Sequence, residues 1–152
     1  MIQRVQSVWL FLASLTLFFL LILPILTKQS NTGDFWFQVG GFYQRTNNIA
    51  HRIESYTALF GGTILVGLIC LGNIFTFRNR TLQKRIVLLT IVLILALAGW
   101  IASYALKIPG GIDGATFNIG AYLPILSVLF CALAHRGIRK DEQLIRSADR
   151  LR

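Results

Sequence analysis

The sequence predicts an all-α membrane protein: a four-helix transmembrane bundle with a small extracytoplasmic β-hairpin or sheet and a C-terminal amphipathic cytoplasmic helix. Three observations predict it. Hydrophobic residues make up 55% of the 152 and charged residues only 14%, at a mean hydropathy of +0.63, which is too little charge to cover a water-facing surface. The apolar residues collect into runs without charge at residues 5–26, 55–77, 86–106 and 119–134. The Lys and Arg residues fall unevenly between the segments that join those runs. The whole chain, 1–152, reads as one four-span domain.

Residues 5–26 span roughly 33 Å as a helix, enough to cross a hydrocarbon core. Arg4 gives this run the positive start of a signal peptide, but it is too long for a secretory apolar core. The following "PILTKQSNTG" has no small-x-small cleavage site, so the run reads as an uncleaved first span.

The first outer loop, 27–54, contains "GDFWFQVGGFYQR", a dense set of rings in a segment too short to span. Phe35, Phe37 and Val39 alternate with Trp36 and Gln38, the period of a strand. Gly40 and Gly41 offer a two-residue turn, and Phe42, Tyr43 and Gln44 return as the partner strand. Asn47 or Asn48 then caps a helix in which Ile49, Ile53, Tyr56 and Phe60 keep helical spacing into the second span. Phe35, Trp36, Phe37, Phe42 and Tyr43 are the candidate partner or ligand surface. The competing reading is that these rings roof the helix bundle at the outer interface.

The second span pairs Ala58 with Gly62 and Thr63 with Gly67, and the third pairs Ala98 with Ala102 and Gly99 with Ser103. Such small residues let helices approach closely. Asn73 is the one strongly polar side chain well inside a span, and an interhelical hydrogen bond explains it. The second outer loop contains "ATFNI", a possible third strand. The fourth run is short and relies on Tyr122 and His135 lying in the interfaces.

The tail, 136–152, sets Leu144, Ala148 and Leu151 on one helical stripe, flanked by Ile138 and Ile145. Arg136, Arg139, Lys140, Arg146 and Arg150 are candidate contacts to lipid headgroups, from a helix lying along the inner leaflet. Docking on the protein's own inner loops, or on a cytoplasmic partner, is the alternative.

Charge sets the orientation. Arg4, Arg78, Arg80, Lys84, Arg85 and the arginines and lysine of the tail share one side, whereas Lys28, Arg45, Arg52 and Lys107 share the other. Both termini are therefore expected in the cytoplasm, with Tyr56, Trp100, Tyr104 and Tyr122 at the outer interface and Trp9 at the inner one. Topology accounts for the net charge of +9 without nucleic acid.

Catalysis needs positioned titratable groups or a metal. His51 and Glu54 share a helical face at i, i+3 but make an incomplete metal site. Cys70 and Cys131 lie in apolar runs as small buried residues, and Asp34 and Asp113 sit beside glycines as turn formers. "PGGIDG" precedes a polar loop, not a helix N-terminus. No catalytic residue, cofactor or metal site is expected.

The opening "MIQRVQSVWLFLA" and the closing "DEQLIRSADRLR" resemble a family of small four-span membrane proteins from Bacteroidetes-type bacteria, described only as a domain of unknown function. The resemblance covers essentially the whole chain. It implies a bacterial inner-membrane location and four helices, and it carries no reaction and no catalytic residues. An outer sheet over four helices also resembles the claudin-type arrangement in architecture alone, because the loop lacks that family's paired cysteines.

The expected function is that of a non-enzymatic accessory or scaffold component of the inner membrane. Its partners would be membrane lipids and another membrane or envelope protein. The alternative is a module binding a lipid or small apolar ligand within the bundle.

Overall fold

In a computed structural model of the chain, residues 3–30, 33–46, 49–77, 79–107 and 114–149 are described. Helix α1 covers Gln3–Ile22. It stops short of Pro24, whose ring removes a donor and disfavours helical backbone at the residue before it. Ile25 and Leu26 therefore leave the helix, and Leu26 opens a strand that the sequence reading had counted into the span. Strands β1 (Leu26–Ser30), β2 (Gly33–Gln38), β3 (Gly41–Thr46) and β4 (Ile49–Ser55) follow in series. Then come α2 (Thr57–Gly72), a 3-10 turn at Asn73–Thr76, α3 (Arg80–Ala105), β5 (Ala115–Phe117) and α4 (Ile119–Asp149).

All four helices are long and apolar enough to cross a membrane. They alternate in direction and close into a ring, α1 packing on α2 and α4, and α3 on the same two. Leu10, Leu17, Leu59, Val87, Ile94 and Cys131 are among the side chains sealed inside it. Gly67 allows one close approach, since a Cβ there would lie 3.2 Å from the Phe18 ring. Polar residues in the bundle are tied off locally or across helices. Thr16 and Ser127 share a 2.6 Å hydroxyl pair. Asn73 donates to the Gln83 carbonyl at 3.3 Å and Gln83 to the Asn73 carbonyl at 3.4 Å, the interhelical bond expected of Asn73. Gly99 and Ser103 behave differently: both are exposed and form no seam within the bundle.

The strands form a five-stranded sheet in the order β4-β3-β2-β1-β5, and every neighbouring pair is antiparallel. The "ATF" strand is present, but it pairs with β1 and not with the aromatic hairpin. Gln38 faces Gly41, so the turn is Val39-Gly40, one residue earlier than the paired glycines indicated. Gly41 is needed for a different reason. A Cβ there would collide with the Glu54 carbonyl, beside the register irregularity at Phe42 and Tyr43.

Two further expectations are overturned. The segment after the hairpin is a strand, not a capped helix: Ile49–Ser55 pairs along β3, and α2 starts only at Thr57. Residues four apart share a face in a strand as well as in a helix, so the spacing of Ile49 and Ile53 did not discriminate. The pairing potential of β3's open edge decided it. Asn47 and Asn48, the expected caps, lie outside the described residues.

The tail is not a separate helix along a leaflet either. It continues α4, which has 31 residues and is about 46 Å long. Pro124 is accommodated near its start.

Candidate functional site

The sheet caps one end of the bundle, and the period-2 alternation of β2 and β3 divides the expected aromatic surface in two. Phe37 is 1% exposed and Phe42 5% exposed. Phe35 stacks on Phe42 at 5.5 Å and packs against the core. Phe37 meets Tyr56 edge-on at 6.0 Å, and Tyr56 stacks on Tyr104 at 4.2 Å. These three phenylalanines roof the bundle, and Phe35 also lines the cleft on the sheet's margin.

Trp36 and Tyr43 point the other way. They are cross-strand partners and stack nearly parallel, 5.5 Å apart with 6° between planes. The Arg45 guanidinium lies 5.7 Å from the Trp36 ring centre and that of Arg52 5.9 Å from Tyr43. Each sits within cation–π range. Arg52 also donates to the Gly40 carbonyl, which anchors it to the hairpin turn. The outer face thus carries two rings bracketed by two fixed, exposed cations.

Beside this ladder lies a cleft of about 560 Å³, lined in part by Lys28, Gln29, Asp34, Trp36, Gln38 and Arg45. Its floor is braced by both connecting segments at this end. Thr27 and Thr116 join hydroxyls at 2.7 Å, Asn118 donates to Thr27 at 3.1 Å, and Gln38 donates to the Ile22 carbonyl at 2.8 Å. The cleft's charged side chains are Lys28, Arg45 and Asp34, a positive balance suited to an anionic group.

The register shift in β4 sets His51 opposite Gln44 and Glu54 opposite Phe42, on one face of the sheet, but along a strand and not on the helical turn expected of them. Glu54 instead accepts a hydrogen bond from the Tyr56 hydroxyl. Burial and that carboxylate push the Tyr56 phenol up to about 12. Among the described residues, no three His, Cys, Asp or Glu side chains gather to hold a metal. Asp113 lies outside the described residues.

At the opposite end, Arg136, Arg139 and Lys140 are exposed on α4, while the side chains of Arg146 and Arg150 lie outside the described residues. The buried stripe is not the one centred on Leu144, which is 48% exposed. It runs Ser127, Cys131, Ala134, Ile138 and Asp141, at alternating spacings of four and three, so it prolongs the bundle seam. Asp141 is 6% exposed and accepts from Gln6 of α1, and Glu142 pairs with Lys84 of α3 at 2.9 Å. The tail thus docks on the protein's own helices. Sequence reasoning missed this latch because Gln6 and Lys84, the partners of Asp141 and Glu142, lie on other helices far off in the chain. The spacing of Asp141 from Ile138 and Ala134 was the available sign.

Helices and sheet together define an up-and-down four-helix protein with a sheet roof whose outer face carries rings and arginines. The chain belongs to the family described as Domain of unknown function (DUF4293), whose model matches residues 2–151. Comparison with curated proteins gave no match, and comparison with solved structures gave none either.

Proposed function

We propose that the protein is a multi-pass component of a bacterial inner membrane. Both termini are cytoplasmic, and it serves as a non-enzymatic accessory or scaffold that binds an acidic envelope partner through the outer face of its sheet. Membrane insertion is supported by the bundle's surface. Only 28 to 39% of the residues in each apolar stretch are buried. Val8, Phe19, Leu68, Val92, Leu95 and Leu129 stand exposed around the ring. In water that apolar band would drive association, whereas lipid covers it. The charge asymmetry of the connecting segments supports the orientation.

The observation that carries the binding reading is the Trp36–Tyr43 stack with Arg45 and Arg52 held over it. Rigid rings and arginines are the residue types that dominate protein interfaces. The test is photocrosslinking in intact cells with benzoylphenylalanine at position 36, 43 or, as a control, 37. A discrete adduct from positions 36 and 43, absent at 37 and lost when Arg45 and Arg52 are both changed to Glu, is expected. No adduct from either outer position would overturn the reading.

A second reading rests on an apolar groove of about 340 Å³ beneath the sheet, where Ala98, Ala102 and Ala105 of α3 face Gly120 and Ala121 of α4. Small residues on both helices hold this seam open, which suits a lipid chain or another slender apolar ligand. A stoichiometric lipid in native mass spectra, lost in Ala102→Phe, would favour it over the partner surface.

A further inference from the structure

The end of the bundle away from the sheet holds a further cavity, of about 360 Å³. The start of α1, the 3-10 turn after α2 and the start of α3 enclose it, through Gln6, Ile74, Phe75, Phe77, Arg80 and Gln83 among others. Its polar wall is fixed in place. Gln6 and Gln83 are 6% and 3% exposed; Gln6 donates to Asp141, and Gln83 exchanges hydrogen bonds with Asn73. Among the described residues lining the cavity, Arg80 alone is charged. Its Nη1 is shut off from solvent and makes no hydrogen bond to the described residues, a costly state for a cation. A phosphate or carboxylate oxygen is the partner such a guanidinium takes best. Arg80 also opens α3, so the positive end of the helix dipole adds to its charge.

We propose that this cavity is a phospholipid site, in which Arg80 holds the phosphate and Phe75 and Phe77 lie along the acyl chains. The proposal rests on insertion in a membrane and is independent of a partner on the outer face. Two observations select a lipid over a free anion. Phe75 and Phe77 line the same cavity, yet they are 73% and 54% exposed. A free phosphate leaves those rings uncovered, whereas an acyl chain removes their apolar surface from water. Depth is the second. The apolar stretch of α2 ends at Thr76 and that of α3 begins at Arg80, which sets the guanidinium at the level of the headgroups and the rings beside the chains.

The test is native mass spectrometry of the full chain in detergent, titrated with phosphatidylglycerol, with a diacylglycerol of the same chains, or with inorganic phosphate. One phosphatidylglycerol should bind ahead of all others, and diacylglycerol should show no such first site. Arg80→Gln should weaken that site by about tenfold or more, the loss expected of a hydrogen bond between charged groups. Changing Phe75 and Phe77 together to Ala should weaken it as well with Arg80 intact. Arg85→Gln, which removes the same charge from an exposed position on α3, should leave it unchanged. A first site equally tight in Arg80→Gln would overturn the proposal, as would one lost in Ala102→Phe, which would move the lipid to the groove beneath the sheet. Inorganic phosphate competing as well as the lipid, or full binding without the two phenylalanines, would overturn the assignment to a lipid. A wild-type chain that stays monodisperse in buffer without detergent would overturn membrane insertion itself, and the site with it.

Discussion

Adjacent residues on β2 should differ sharply in what they contribute, because they point to opposite faces of the sheet. Phe37 is 1% exposed and sits between sheet and bundle against Tyr56. Truncating a phenylalanine so enclosed costs about 3–5 kcal/mol, from lost burial and the cavity left behind. Trp36 is a larger side chain, yet its contacts are the stack on Tyr43 and the Arg45 cation over its ring. Those are worth about 0.5–1.5 and 0.5–1 kcal/mol at a partly exposed site. In a chain of this length each kcal/mol moves the melting temperature by roughly 2–4 °C. Phe37→Ala should therefore lower it by about 6–20 °C and Trp36→Ala by about 2–10 °C. Cys70 and Cys131, both 0% exposed, supply the assay, since a fluorogenic maleimide reacts only as the bundle opens. Trp36→Ala melting as early as Phe37→Ala would refute the division of the rings between two faces.

Other consequences are local. The folded state holds the Tyr56 proton more tightly than the unfolded chain, with the phenol pushed up to about 12 from an ordinary value of about 10. Its stabilising contribution is thus complete below pH 10 and lost as pH rises towards 12. Tyr56→Phe should flatten the alkaline fall in melting temperature, and absorbance at 295 nm should lose its highest-titrating phenol. At Gly120 a Cβ would lie 2.5 Å from the Pro24 carbonyl oxygen. Gly120→Ala should therefore push α4 from the end of α1 and cost about 1–3 kcal/mol by the same maleimide assay; an unchanged melt would refute that close approach. At the far end, Asp141→Ala strands the buried Gln6 amide and should cost about 1–3 kcal/mol. Lys84→Ala breaks an ion pair whose side chains are 29% and 22% exposed, and should cost under about 1 kcal/mol. Limited proteolysis should cut the tail faster in Asp141→Ala than in Lys84→Ala, and the reverse order would refute the latch.

The helices were legible because an apolar run of such length has one low-energy backbone solution in lipid, and the "FWFQV" alternation marked a strand for the same kind of reason. Ile49 and Ile53 misled because a four-residue step satisfies both periods. Only β3, a partner distant from the local pattern, resolves that ambiguity. β1 was hidden by its start, since Ile25 and Leu26 continue the apolar run and nothing but Pro24 marks the break. The division of the rings was implicit in the alternation once the strand was assigned. Which half faced the bundle was not, because Phe37 and Trp36 are both large aromatic side chains and the packing of Tyr56 and Tyr104 selects the phenylalanine face.

The sheet order explains why the roof is a rigid platform and not a flexible hairpin. β1 follows directly from α1, β4 leads into α2, and β5 precedes α4 with one residue between. Since β5 pairs with β1, the connection between α3 and α4 is stitched to the one that follows α1, and the sheet grips helix ends all round the bundle. A two-stranded hairpin alone would be marginal in water. Five paired strands, of which β1 to β3 bury Leu26, Phe37 and Phe42 against the bundle, leave the outer rings and arginines with few ways to move. A binding surface gains most when its side chains are held in place before the partner arrives. Trp36 is pinned between Tyr43 and Arg45, and Arg52 is tied to the Gly40 carbonyl. The energy invested in roofing the bundle with phenylalanine is thus the same energy that preorganises the face turned away from it.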